Sequence, residues 1–191
     1  MDNPQIPAPQ RARLADALAR RRVTLGFIFG ALVLWLAQPT ARTLAAGVPV
    51  AALGEALRVW AAGHLNKSRE VTSSGPYRWL GHPLYAGSSV MGAGLAIASG
   101  SILVALIIGL YLTATLTAAI KSEEAFLRRT FGDEYARYRR GDGAAPDAGR
   151  RFAWSQAISN REHRTMAGLL IVTLLLTLKS LRLFNIDSIV P

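Results

Sequence analysis

Residues 84–120 read LYAGSSVMGAGLAIASGSILVALIIGLYLTATLTAAI, and no Asp, Glu, Lys, Arg or His interrupts them. A run this long and this apolar does not suit a helix of a soluble domain, because about 20 apolar residues already span the hydrocarbon core of a bilayer. Ser99-Gly100-Ser101 divides it into blocks at 84–98 and 102–120. A connection of that length allows only a tight helical hairpin, so the two blocks run antiparallel. In the first block Ser88 and Gly92, then Gly94 and Ala98, have small-xxx-small spacing, which lets helix backbones approach closely. Helix packing accounts for these glycines without a cofactor loop.

Three further apolar blocks lie outside the hairpin, at 23–37, 44–63 and 166–184. The first is short for a span unless its flanks snorkel or the bilayer thins. An Arg-rich flank before it also resembles a secretion signal, with Arg21-Arg22 as a twin-arginine pair, but further spans follow and no A-x-A cleavage site does. The second contains Glu55 and Arg58 at i,i+3, able to pair on one face. Such an intramembrane pair marks either a functional site or a structural pair turned toward neighbouring helices. The expected fold is an all-α integral membrane protein with about five transmembrane helices.

Composition agrees. Charged residues make up 18% and hydrophobic residues 51% of the 191 residues, against roughly 25% charged in soluble proteins. The absence of cysteine excludes disulfides, thiolate metal sites and cysteine nucleophiles. His64, His82 and His163 are scattered without ligand spacing, so no metal site is expected. The formal charge of +10 comes largely from Arg residues between apolar blocks. There they mark cytoplasmic flanks and contacts with anionic membrane lipids, and no nucleic-acid partner is expected.

Residues 1–22 are expected to form a cytoplasmic interfacial helix, with Leu14 and Leu18 on one face. Residues 23–191 then make one membrane-embedded domain, with a glycine-rich linker at 141–150 and, over 151–184, an interfacial segment around Phe152, Trp154 and Ile158 followed by the last helix. Lys and Arg concentrate in the amino-terminal flank, in 66–80 and in 121–165, whereas the loop after the first block has only Arg42. With five spans the rich segments share one side, which the positive-inside rule makes cytoplasmic. Lys179 and Arg182 fit this poorly, and the alternative to a full crossing is a last helix that is short or only partly inserted.

The hairpin returns the chain to its starting side, so the polar segments flanking it can share one site. Before it, Gly75-Pro76 and His82-Pro83 are turn and helix-start signals. After it, Glu123-Glu124 begin a helix-like run with Leu127 and Phe131 at i,i+4. Gly132 is a stop signal, Asp133 a cap for the next turn, and Tyr135 and Tyr138 share a face. This inventory suits a cationic amphiphilic ligand, held by carboxylates and aromatic faces. It also suits a solvated helix face beside an interfacial tyrosine belt, the simpler reading on pattern alone.

GPYRWLGHPLYAG at 75–87 and EEAFLRRTFGDEYARY at 123–138 resemble the two motifs of the isoprenylcysteine carboxyl methyltransferase family, G-x-Y-x-x-x-R-H-P-x-Y-x-G and E-E-x-x-L-x-x-x-F-G-x-x-Y-x-x-Y. The likeness covers core residues 66–140, with both motifs in order around the hairpin, and implies a bacterial-type member. It implies a membrane enzyme holding S-adenosylmethionine in a cytoplasmic pocket open laterally to a lipophilic small molecule or lipid, and hence a bacterial inner membrane location. By matching position, Val71, Gly75, Tyr77, His82, Pro83, Tyr85, Glu123 and Glu124 would hold the cofactor, with Glu124 also acting in catalysis. Gly81 stands where that family has an Arg thought to orient the substrate carboxylate, and Arg78 is the nearby candidate to replace it. The resemblance makes carboxylate O-methylation the expected reaction, and the loss of that Arg weighs against it. Phospholipid or amine N-methylation is the alternative, because related phospholipid N-methyltransferases carry Pro-x-Tyr-x-Gly-Ser, here at 83–88, without that Arg. A non-catalytic protein that kept the fold is the third reading.

Overall fold

The structure, a computed structural model, describes residues 28–67, 69–141 and 150–181. The expected amino-terminal interfacial helix, most of the 141–150 linker and Arg182 lie outside the described residues. The chain divides into two compact units, residues 1–36 and 37–191. In the first, residues 28–36 are helical, within the expected first block.

In the second unit the elements are α1 (Ala41–His64), a 3-10 turn (Gly75–Arg78), α2 (Pro83–Ala98), α3 (Ile102–Arg140), α4 (Trp154–Ser159) and α5 (Glu162–Ser180). All are helical, and among the described residues there is no strand. Thr40 starts α1 through a reciprocal capping box with Thr43, which satisfies two of the amides a helix start leaves open. Pro83 occupies the first turn of α2, where its missing N–H is no loss.

α1 and α3 are long and apolar enough to cross a membrane, and α2 is a shorter apolar helix. Only 6% of the apolar window of α3 is buried. A soluble core helix would bury most of that surface, so α3 has lipid as its natural solvent.

The small residues of α2 do a different job from the one their spacing within the hairpin suggests. Their main partner is α1, with which α2 makes the most extensive contact in the fold. Gly87, Met91, Gly94 and Ala98 of α2 pass backbone to backbone against Arg58, Gly54, Ala51 and Gly47 of α1. Of the α2 glycines, Gly92 is the one turned to the hairpin partner, where it receives the Leu112 side chain. Close approach of this kind is the main source of attraction between helices in lipid, where no hydrophobic drive exists. The hairpin itself turns at Gly100 (φ 64°), and the Ser99 carbonyl accepts from Gln38 N at 2.7 Å.

α3 runs on through the expected end of its span into a polar extension, so Glu123 and Glu124 continue a helix rather than begin one. Gly132 (φ 42°, ψ −113°) breaks it and the chain resumes helix to Arg140, where Gly141 caps it in the left-handed conformation. α4 lies against the end of α1: Gln156 and Asn160 donate to the Leu65 carbonyl at 2.7 and 2.8 Å, and Asn160 also to Ala62. Two carbonyls left open at the end of α1 are satisfied in this way.

Candidate active site

The bend at Gly132 builds the site. Glu124 and Arg139 are fifteen residues apart, about 22 Å along a straight helix, yet Arg139 Nη1 lies 3.5 Å from Glu124 Oε1. The same bend brings the Tyr138 hydroxyl to donate to the Tyr77 carbonyl at 2.9 Å, tying the end of α3 to the 3-10 turn. Gly75 (φ 55°) makes that turn possible in two ways. Its backbone favours glycine, and a Cβ there would stand 2.6 Å from the His64 ring.

Between the 65–77 segment, the start of α2 and the extension of α3 lies a cavity of about 510 Å³, within the usual 300–1,000 Å³ of small-molecule sites. Of the residues expected to hold a cofactor, Val71, Tyr77, His82, Pro83, Tyr85 and Glu123 line it. Gly75 and Glu124 do not: Gly75 shapes the turn behind it, and Glu124 stands behind His82. Arg78 is exposed and off the wall.

His82, at the N-cap of α2, bridges both carboxylates. Its Nδ1 is 3.5 Å from Glu123 Oε2 and its Nε2 is 3.4 Å from Glu124 Oε1. Glu124 also meets Arg139 and, at 3.9 Å, Arg128. The Glu123 hydrogen bond raises the His82 pKa above its ordinary 6.5, against the opposing effect of burial and with help from Glu124. The His82 hydrogen bond in turn holds Glu123 below the ordinary 4.5. Burial pushes the Tyr77 hydroxyl far up, so it stays protonated.

A raised histidine pKa adds stability that is complete below the unfolded value and lost as pH rises through the folded one; a lowered carboxylate pKa adds stability lost as pH falls through its folded value. The melting-temperature advantage of the natural chain over His82→Gln is therefore expected to be greatest between about pH 4.5 and 6.5 and to shrink on going to pH 9. Thermal scans of both proteins across that range check it; a constant difference would mean that the bridge does not titrate.

A second space, about 680 Å³ and mostly apolar, opens between α2 and α3. It shares His82 and Tyr85 with the first cavity and continues along Ser89, Gly92, Leu112 and Leu116.

Arg139 is the residue that pattern reading missed. Its Nη1 lies 3.6 Å from the point where a side chain on Gly81 would begin, and no atom of Arg78 comes within 4 Å of that point. The stop signal at Gly132 was visible, but not the direction in which the helix resumes. Lys67, Phe126 and Leu127 also line the cavity. Among the described residues no three of His, Asp and Glu are grouped to hold a metal ion.

Comparison with known proteins fits a membrane methyltransferase. The chain is 31% identical over 151 residues to the nickel-cobalt-cadmium resistance protein NccN of Alcaligenes xylosoxydans xylosoxydans, a match covering 70% of this chain and 68% of the relative. It is 32% identical over 75 residues to the protein-S-isoprenylcysteine O-methyltransferase of Schizosaccharomyces pombe, covering 39% of this chain and 32% of that enzyme. No solved structure matches the chain. The family model for phospholipid methyltransferases matches residues 22–134, a stretch that includes both motifs as far as Glu134 together with α1 and the hairpin. The chain belongs to the phospholipid methyltransferase family.

Proposed function

We propose that the protein is an S-adenosylmethionine-dependent methyltransferase that methylates the carboxylate of a small lipophilic acceptor. The observation that carries this reading is the junction at His82 and Tyr85 of a cavity lined by charged and tyrosine side chains as well as apolar ones with a more apolar groove between α2 and α3. One space suits a charged, water-borne methyl donor and the other the chain of a membrane-borne acceptor, and their reacting ends would meet at the shared wall.

The cavity fits the cofactor by its donor set: the Glu123 carboxylate for an ammonium, and the Tyr77, Tyr85 and Tyr135 rings for a sulfonium or a purine face. When bound, the cofactor supplies a methyl group on sulfur that leaves as a neutral thioether. The chain's own part is alignment in a water-poor space, since no covalent enzyme intermediate is needed. Val71, Tyr77, Pro83 and Tyr85 shape the wall, Gly75 sets the turn, and His82 with Glu123 fixes the ammonium end. Glu124 acts through His82 and Arg139. Arg139 lines neither space and meets Glu124, but its side chain is 48% exposed and lies 3.6 Å from where a side chain on Gly81 would begin. It takes the place that the sequence reading gave to Arg78, and turns from Glu124 to hold the acceptor carboxylate.

Transfer of labelled methyl from S-adenosylmethionine into lipid extract tests the activity, with dodecanoate and dodecylamine compared as acceptors. Arg139→Ala is expected to lower kcat/KM for dodecanoate by about tenfold to a hundredfold, the effect of one charged hydrogen-bonding partner, and to leave the amine unaffected. The paired carboxylates favour a second reading, N-methylation of a lipophilic amine. Faster turnover of dodecylamine in Arg139→Ala would select it. No methyl transfer to any lipid would leave a binding protein that kept the fold.

Five spans with the site on the cytoplasmic side follow from the Lys and Arg bias and complete this reading. With no native cysteine, single cysteines report alone. Ser99 is 2% exposed, so Ile102 at the hairpin tip is the better reporter. A membrane-impermeant thiol reagent is expected to label Ile102→Cys in intact cells, and Ser73→Cys and Asp133→Cys only after permeabilisation. Labelling of Ser73 and Asp133 from opposite sides would end the shared-cavity argument.

A further inference from the structure

Lys67, Glu70, His82 and Glu123 are the charge-bearing side chains in the wall of the first cavity. Three of them already have partners: His82 stands 3.5 Å from Glu123, and Glu70 pairs with Arg150, which does not line the cavity. Lys67 is exposed and has no ion pair among the described residues. Its place in the wall is fixed by its neighbours. The Leu65 carbonyl accepts from Gln156 and Asn160, Asn66 donates its N–H to Thr72 Oγ1 at 3.3 Å, and the Glu70–Arg150 pair follows. The backbone is thus held on both sides of Lys67, while its flexible four-carbon stem leaves the ammonium free to follow a ligand.

Lys67 and Glu123 come from different walls, the 65–72 segment and the extension of α3. They are nonetheless near each other: the His82 hydrogen bond does most to hold Glu123 below its ordinary 4.5, and the charge of Lys67 adds to it. A cation beside a carboxylate in one cavity complements a zwitterion. The amino-acid end of S-adenosylmethionine is one, with ammonium and carboxylate on the same carbon. Resting on the methyltransferase reading above, we propose that Lys67 binds the α-carboxylate of the cofactor while Glu123 takes its ammonium. A simple anion would gain Lys67 but face the Glu70 and Glu123 carboxylates. The acceptor carboxylate has its place elsewhere, because the apolar groove suited to the acceptor's chain does not include Lys67. Two charged contacts on the amino-acid end limit how the sulfonium can turn, which serves the alignment that methyl transfer needs.

The test titrates the full chain in nanodiscs calorimetrically with S-adenosylhomocysteine and with its decarboxylated analogue, which keeps the ammonium. The natural chain is expected to bind the first about tenfold more tightly, the effect of one charge-assisted hydrogen bond. Lys67→Met should remove that preference by weakening S-adenosylhomocysteine alone, Lys67→Arg should keep it, and Lys67→Glu should reverse it. Lys67 is exposed, so these changes leave the fold intact, with helix content by circular dichroism as the control. Equal loss for both ligands in Lys67→Met, or no loss for either, would make Lys67 a solvated side chain and overturn the proposal. So would an unchanged titration joined to a raised KM for dodecanoate, which would put the acceptor carboxylate on Lys67. Failure of the natural chain to bind either ligand would instead overturn the cofactor reading itself, and the proposal with it.

Discussion

Glu123→Ala is expected to reduce methyl transfer by about a hundredfold or more, whereas Glu124→Ala costs closer to tenfold. The two carboxylates are adjacent in sequence but differently placed. Glu123 lines the cavity and meets His82 Nδ1, so its loss removes a charge from the proposed cofactor wall and leaves the raised His82 without its main partner. Glu124 stays off the wall and acts on His82 Nε2 and Arg139, so its loss disorders the site while keeping the cavity charge. Calorimetric titration with S-adenosylmethionine and kcat/KM for labelled methyl transfer separate the two, with helix content by circular dichroism as the control for folding. Loss of cofactor binding in Glu123→Ala, with binding kept and turnover lowered in Glu124→Ala, is the expected pair of results. If both variants bind and turn over like the natural chain, Glu123 and Glu124 are a solvated helix face.

The largest effect on stability is expected from Gly94→Val. A Cβ at Gly94 would lie 2.7 Å from both the Ala51 Cα and the Gly47 carbonyl oxygen. These are backbone atoms of α1, so no rotamer change relieves the overlap and the two helices must separate. Overpacking at such a crossing costs about 3 kcal/mol or more, enough to empty the folded state of a marginal protein. Gly168→Ala is the matched control. Nothing lies within 4 Å of its added methyl, and alanine in a helix interior gains up to about 1 kcal/mol over glycine. Yield of monodisperse protein and melting temperature in detergent are the measurements, and a Gly94→Val protein melting like the natural chain would refute the close α1–α2 crossing.

The elements themselves were legible because each depends on neighbours in sequence. Apolar blocks marked the helices, Pro83 the start of α2, Ser99-Gly100-Ser101 the hairpin, Gly132 the break in α3, and Trp154 with Ile158 the short α4. The packing partner of α2 was less legible. Small-xxx-small spacing announces that a backbone will approach closely, but not which backbone, and the hairpin drew attention to α3 when α1 had the complementary Gly47, Ala51 and Gly54.

The ion pairs divide the same way. Glu55 and Arg58 at i,i+3 could be read from helix periodicity alone, and they do lie 3.5 Å apart. That Arg58 prefers Glu162, over a hundred residues later, is a property of three helices meeting and has no local signal.

By itself the sequence determined that this is an all-helical chain with lipid-suited helices and two motifs flanking a hairpin, because hydrophobicity, chain-length limits and the reach of short turns act over a few residues. Tertiary structure alone decided that Arg139 stands beside Gly81, that Glu55 is left without a hydrogen bond, and that the cavity holding Glu123 and an apolar groove meet at His82 and Tyr85. Each of these rests on the angle at which one helix leaves or crosses another, and such an angle is set by the packing of distant side chains rather than by any local preference.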